Sequence, residues 1–174
     1  MDESRRERFE RIAPGLIEPL RRYLARRTDP DTAEDVLAET LRVCWRRVLE
    51  LPEDPLPWAY GVAANCLRNA QRSARRAQRL AAKVAALDPP TATVPEDDGD
   101  PAVALALARL REDDAELLRL WAWEDLAPAQ IAVALGISAN AVSIRLHRAR
   151  ERLRDELRKV DAAAGHEGST DRRT

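Results

Sequence analysis

Four prolines and five acidic residues crowd into positions 88–101, a stretch with almost nothing large to bury. Such a segment repels itself and adds nothing to a core. It therefore cuts the chain into two lengths that must each fold around their own apolar residues. At 174 residues the two cores are small, and with aromatics at only 4% they must be filled by Leu, Ala, Val and Ile. That palette suits close-packed helices better than sheets. The expected fold class is all-α: two small helical domains over 1–87 and 103–159, a flexible acidic Pro-rich linker over 88–102, and a disordered tail over 160–174.

Within the first domain, Phe9, Ile12, Leu16, Leu20, Tyr23 and Leu24 recur at steps of three and four, the period of an amphipathic helix. Pro19 interrupts it and predicts a kink or a later effective start. A turn over 28–31 opens a second helix, with either Asp29 before Pro30 or Asp31 paired with Glu34 as its cap. Val36, Leu37, Leu41, Cys44, Trp45 and Val48 form its apolar stripe, which leaves Glu34, Asp35, Glu39, Arg42 and Arg46 facing outward. Three prolines over 51–57 then predict an extended loop.

A third helix places Trp58, Val62, Cys66, Ala70, Ala74, Ala77, Ala81 and Val84 on a packing side, and Arg68, Arg72, Arg76, Arg79 and Lys83 opposite them. The formal net charge is −1, yet residues 55–87 hold six basic groups and no acidic one. A concentrated cationic patch is thus hidden inside a neutral average. Trp58, Tyr60, Asn65 and Asn69 lie beside it. Aromatic rings, amides and arginines together suit a separated nucleic-acid strand, whose unpaired bases offer stacking faces and hydrogen-bonding edges. Trp58 is also in phase with Val62 and Cys66, so it reads equally as core.

The second domain opens over 103–110 and continues in a helix led by Asp113 and Glu116, with Leu117, Leu118, Leu120 and Trp121 as its apolar positions. Beyond it Pro128 fits the first turn of a short helix, Gly136 the left-handed residue that ends one, and Ser138 the cap of the next. Ile131, Leu135, Ile137, Val142 and Leu146 fill the angle between them, which makes a helix-turn-helix. Its second helix exposes Asn140, Ser143, Arg145, His147, Arg148 and Arg150, donors suited to base edges and phosphates in a major groove.

Other classes find less support. Cys44 and Cys66 have no CxxC or neighbouring His, so no metal or redox spacing is present and both read as buried thiols. Asp31, Glu34, Asp35 and Glu39 lack a nucleophile, a His partner or a phosphate loop, so they read as a protein-docking surface and no catalytic residue or cofactor is expected. The charged N-terminus and the absence of a long apolar run predict a cytoplasmic protein without membrane insertion.

In their order along the chain these pieces resemble the extracytoplasmic-function, or group IV, branch of the sigma-70 family, over about 9–82 and 103–157. Residues 31–45 resemble region 2.2, 57–69 resemble regions 2.3 and 2.4, and 135–153 are similar to region 4.2. The resemblance implies an alternative sigma factor, with core RNA polymerase (the β′ coiled coil and the β flap) and promoter DNA as partners, and an anti-sigma factor that covers the polymerase-binding faces. It assigns Asp31, Glu34, Asp35, Glu39 and Arg42 to polymerase binding. Trp58, Tyr60, Asn65, Arg68, Asn69, Arg72 and Arg76 fall to the minus-10 element, and Asn140, Ser143, Ile144, Arg145, His147 and Arg148 to the minus-35 element. The chain departs from the family pattern at Ala127 and Ala141, where a hydroxyl residue is common, at Ile144 in place of a frequent Ser, and at Ala64 in place of a basic residue. Two rival readings use part of the same pattern. One is a self-sufficient helix-turn-helix regulator that binds duplex DNA without polymerase; the other is a sigma-like module that has lost promoter recognition.

Overall fold

The protein is described here by a computed structural model covering residues 2–84 and 100–167, and among these every regular element is helical. They fall into two compact units, the first containing 2–84 and the second 100–132 and 136–167. The linker expected at 88–102 lies largely outside the described residues. No single described helix is long and apolar enough to cross a membrane.

In the first unit α1 (Asp2–Ala25), α2 (Pro30–Arg46) and α3 (Leu56–Val84) pack against one another, with a 3-10 turn (Val48–Glu50) after α2. Helix α1 runs through both Pro14 and Pro19, so neither proline delays its start. The reason lies in the core stripe. Leu16, Leu20, Tyr23 and Leu24 are essentially fully buried. At about 1.5–3 kcal/mol for each such side chain, their burial outweighs a cost of about 3 kcal/mol per helical proline.

Asp29 is the cap of α2: its carboxylate accepts from the Thr32 backbone N–H at 3.0 Å, and Pro30 takes the first turn. That hydrogen bond, with a further one from the Thr28 hydroxyl, holds the Asp29 carboxyl below its ordinary value. A carboxylate so depressed stabilises the fold above its unfolded pKa and loses that contribution as pH falls through the folded value. Asp29→Ala should therefore lower the melting temperature at pH 7, and the gap to wild type should narrow in thermal melts as the pH is lowered through the range in which carboxylates take up protons.

The other end of α2 is fastened by α1. The Arg5 guanidinium donates to the carbonyls of Arg46 at 3.0 Å and Trp45 at 3.4 Å, and Arg8 donates to the Leu51 carbonyl at 2.7 Å. Carbonyls at a helix C-terminus lack intrahelical donors and carry the negative end of the dipole, so a cation is well placed there. Phe9 adds an edge-on contact to Trp45 at 5.3 Å. Arg5→Ala should cost about 1–3 kcal/mol, read as a lower urea midpoint with an unchanged slope.

Residues 51–55 form the expected loop, but α3 begins at Leu56, so Pro57 belongs to its first turn, where a missing N–H costs nothing. The packing side of α3 also differs from the expected one. Ala59, Tyr60, Ala63 and Leu67 are buried, while Trp58, Val62, Cys66 and Ala70 are only half-buried. Every residue over 71–81 is exposed, including Ala74, Ala77 and Ala81. With 29 residues against 17 in α2, α3 outruns the helix it packs on.

The second unit is built from α4 (Pro101–Ala108), α5 (Glu112–Ala122), most of α6 (Pro128–Leu135) and α7 (Ala139–Glu167). Asp100 caps α4 by accepting from the Ala102 N–H at 2.8 Å, so the ordered unit starts inside the span assigned to the linker. In α5, Asp113 is already helical, one of three acids in a first turn whose dipole favours them. Leu107, Leu117, Leu118, Leu120, Ile131, Val142 and Ala149 are buried, with α7 crossing both α4 and α5. Residues 160–167, expected to belong to a disordered tail, are helical. Helix α7 continues to Glu167 because Val160 still buries its side chain and the alanines after it favour helix. Residues 168–174 lie outside the described part.

Candidate nucleic-acid and protein interfaces

The punctuation of α6 and α7 is what their sequence requires. Pro128 is in the first turn of α6, and Gly136 ends it at φ 66°, a left-handed conformation that residues with a Cβ adopt at a cost. Ser138 accepts from the Ala141 N–H at 3.1 Å and starts α7. The two helices meet at 103°. With Val142, Leu146 and Ala149 turned inward, Asn140, Ser143, Ile144, Arg145, His147 and Arg148 are all exposed. His147 stands 3.5 Å from Glu151, whereas no described carboxylate pairs with Arg145 or Arg148.

In the first unit Asp31, Asp35, Glu39 and Arg42 follow one another at helical spacing and form one stripe along α2. Glu34 sits apart from it. Arg21 of α1 donates to the Glu34 carboxylate at 2.9 Å, which lowers the pKa of Glu34 and raises that of Arg21. Glu34 thus joins α1 to α2. Glu39 pairs with Arg42 at 3.1 Å and Arg46 at 3.6 Å.

A groove of about 680 Å³ between α2 and α3 carries Asp35, Glu39 and Arg46 on one wall and Trp58, Asn65 and Asn69 on the other. Residues assigned by sequence to two separate tasks therefore share one cleft. Trp58 is half-buried beneath the Arg47 guanidinium, 5.6 Å from its ring, so one part of the indole packs and another faces the groove. Cys66 also lines the groove. Burial pushes its thiol up, and that of Cys44 to about 11, so both stay protonated and unreactive near neutral pH.

Tyr60 is corrected from a nucleic-acid contact to a core residue. It is 3% exposed, and its ring packs on Tyr23 at 5.0 Å, which leaves no face for a base. Its spacing to Ala63 and Leu67 carries the signal for this.

Asn65, Arg68, Asn69, Arg72 and Arg76 are exposed along α3, and the amides hold the guanidiniums: Arg68 donates to Asn65 and Arg72 to Asn69, while Arg76 donates to the Ser73 hydroxyl. Arg75 and Arg79 are exposed beside them, and Arg75 had not been singled out by sequence. Among the described residues no carboxylate neutralises this face, whereas arginines of α1 and α2 are ion-paired to Glu10, Glu34 and Glu39, and Arg47 just after α2 to Glu50. An uncompensated cationic helix is suited to phosphates. No group of three or more His, Cys, Asp or Glu among the described residues could hold a metal ion.

Residues 101–153 match the family model described as Sigma-70, region 4. A probable RNA polymerase sigma factor RfaY of Xanthomonas campestris is 33% identical over 144 residues, 77% of this chain and 36% of the relative. The RNA polymerase sigma factor CarQ of Myxococcus xanthus is 32% identical over 110 residues, 61% of this chain and 62% of the relative. The second unit is thus similar to sigma-70 region 4. The chain spans about a third and three fifths of the length of those two relatives. Its fold is also similar to that of the sigma factor RpoE solved with the anti-sigma factor NepR from Bartonella quintana. The TM-score is 0.58 at 22% identity, over 86% of this chain and 96% of that one.

Proposed function

We propose that this chain is a member of the sigma-70 family, an alternative sigma factor that binds core RNA polymerase and directs it to specific promoters. It acts without catalytic chemistry of its own, in the cytoplasm. The observation that carries the reading is the pairing, in one chain, of a region 4 helix-turn-helix with a separate unit whose uncompensated arginine and amide face adjoins an acidic stripe. The stripe Asp31, Asp35, Glu39 and Arg42 meets the β′ coiled coil, and the second unit meets the β flap. Trp58, Asn65, Arg68, Asn69, Arg72 and Arg76 hold the minus-10 strand as it separates, Trp58 through its groove-facing edge and the arginines through phosphates. Asn140, Ser143, Ile144, Arg145, His147 and Arg148 read the minus-35 duplex.

Two modest contacts on separate units gain affinity from effective concentration once polymerase fixes their spacing, so the isolated protein binds promoters weakly. A structure with this fold was solved with an anti-sigma factor bound. An anti-sigma partner that covers the α2 stripe would silence this chain by competing with β′.

The test is transcription in vitro from a library of random promoters, with core polymerase in the presence and absence of the protein. Start sites that need the protein and share two spaced elements establish the function. No new starts, with the protein alone binding duplex DNA, would assign it to self-sufficient regulators instead.

A further inference from the structure

Trp121, one residue from the end of α5, is a large aromatic left 38% exposed, and the Arg150 guanidinium of α7 lies 4.8 Å from its ring centroid. The way Arg150 is held sets it apart from other cations of α7. Arg152 is bound to Asp114, Arg158 to Asp155 and Lys159 to Glu156, each partly neutralised by a carboxylate. Arg150 has no carboxylate partner among the described residues, and an aromatic face restrains it without cancelling its charge. Stacking engages the flat face of a guanidinium, while its N–H donors point outward in the plane, free to fork onto a phosphate.

Position supports the same role. Ser143, His147 and Arg150 follow at steps of four and three, so they share one stripe of α7. Arg150 stands about 4.5 Å further along the axis than His147, at the edge of the surface assigned to base reading.

We propose that Trp121 is a positioning residue that fixes Arg150 as a phosphate clamp on the flank of the reading helix. Trp121 does not itself read a base. It limits the conformations of a long side chain before DNA arrives, so that less freedom is lost on binding. The inference rests on the reading of the second unit as a duplex-DNA binder.

The experiment measures affinity of the full chain, assembled with core polymerase, for a promoter duplex recovered from the random library, across a series of salt concentrations. Arg150→Ala should weaken binding and reduce the salt slope by about one phosphate contact. Trp121→Ala should weaken it about 2- to 30-fold, the range of a cation–π restraint, and Trp121→Phe should restore part of the loss. In the Arg150→Ala background Trp121→Ala should have little further effect. Equal losses from Trp121→Ala in both backgrounds would show that the indole acts through the fold, and would overturn the proposal. So would an unchanged salt slope in Arg150→Ala. If Arg145→Ala weakens binding while neither Trp121→Ala nor Arg150→Ala does, the clamp fails and duplex reading stands; if the wild type gains no duplex affinity from this unit, the reading beneath it fails.

Discussion

Core polymerase that retains the wild-type chain through a wash should release a chain carrying Asp35→Lys together with Glu39→Lys. Both residues lie on the stripe that continues through Asp31 and Arg42, and both line the α2–α3 groove. Reversing two charges at a complementary interface sets like charges against each other, at a cost of several kcal/mol that removes stable binding. The fold should survive. Glu39 loses only its exposed pairs with Arg42 and Arg46, each worth about 0–1 kcal/mol. Pull-down with core enzyme measures the loss, and circular dichroism checks that helix content is kept; undiminished retention would move polymerase binding off α2.

Arg145→Ala combined with Arg148→Ala should produce the second large effect, a collapse of promoter choice by the holoenzyme. Both arginines are exposed on the first turns of α7 and lack a described carboxylate partner, so their donors are free for guanine edges or phosphates. At about 1–3 kcal/mol for each base contact, the pair amounts to roughly 30-fold or more in affinity. Start-site sequencing should show the minus-35 preference relaxed. Unchanged promoter selection would place recognition on Asn140, Ser143 or His147.

The elements legible in the sequence were those with strong local chemistry. Pro128, Gly136 and Ser138 each act within a few residues of backbone, so α6, its left-handed end and the start of α7 followed from composition alone. The acidic stripe of α2 and the arginines of α3 followed from helical spacing.

What escaped depends on neighbours distant in the chain. Two apolar stripes run along the start of α3, and only the way α1 and α2 pack on it decides that Tyr60, Ala63 and Leu67 face the core while Trp58, Val62 and Cys66 border a groove. Glu34 looked equivalent to Asp35 until Arg21 of α1 claimed it. Arg5 was one charge among many in the N-terminal segment, yet it caps a helix some forty positions away. The restraint of Arg150 by Trp121 likewise needs α5 laid against α7. In each case periodicity supplied the candidates and tertiary packing chose among them.

The projecting half of α3 has a consequence for motion. Over 71–81 no side chain is buried, so the helix there rests on the favourable propensities of its Ala, Arg and Gln residues and on contacts one turn apart. An unsupported stretch of about three turns is marginal in water. Its amides should exchange with solvent at rates far above those of α1 and α2, which open only with the whole unit. A nucleic-acid strand laid along the arginines would then have to stiffen the helix as it binds, and part of the attraction would go into that ordering. Amide exchange would report it as protection that appears over this stretch when DNA is engaged and disappears when it is released.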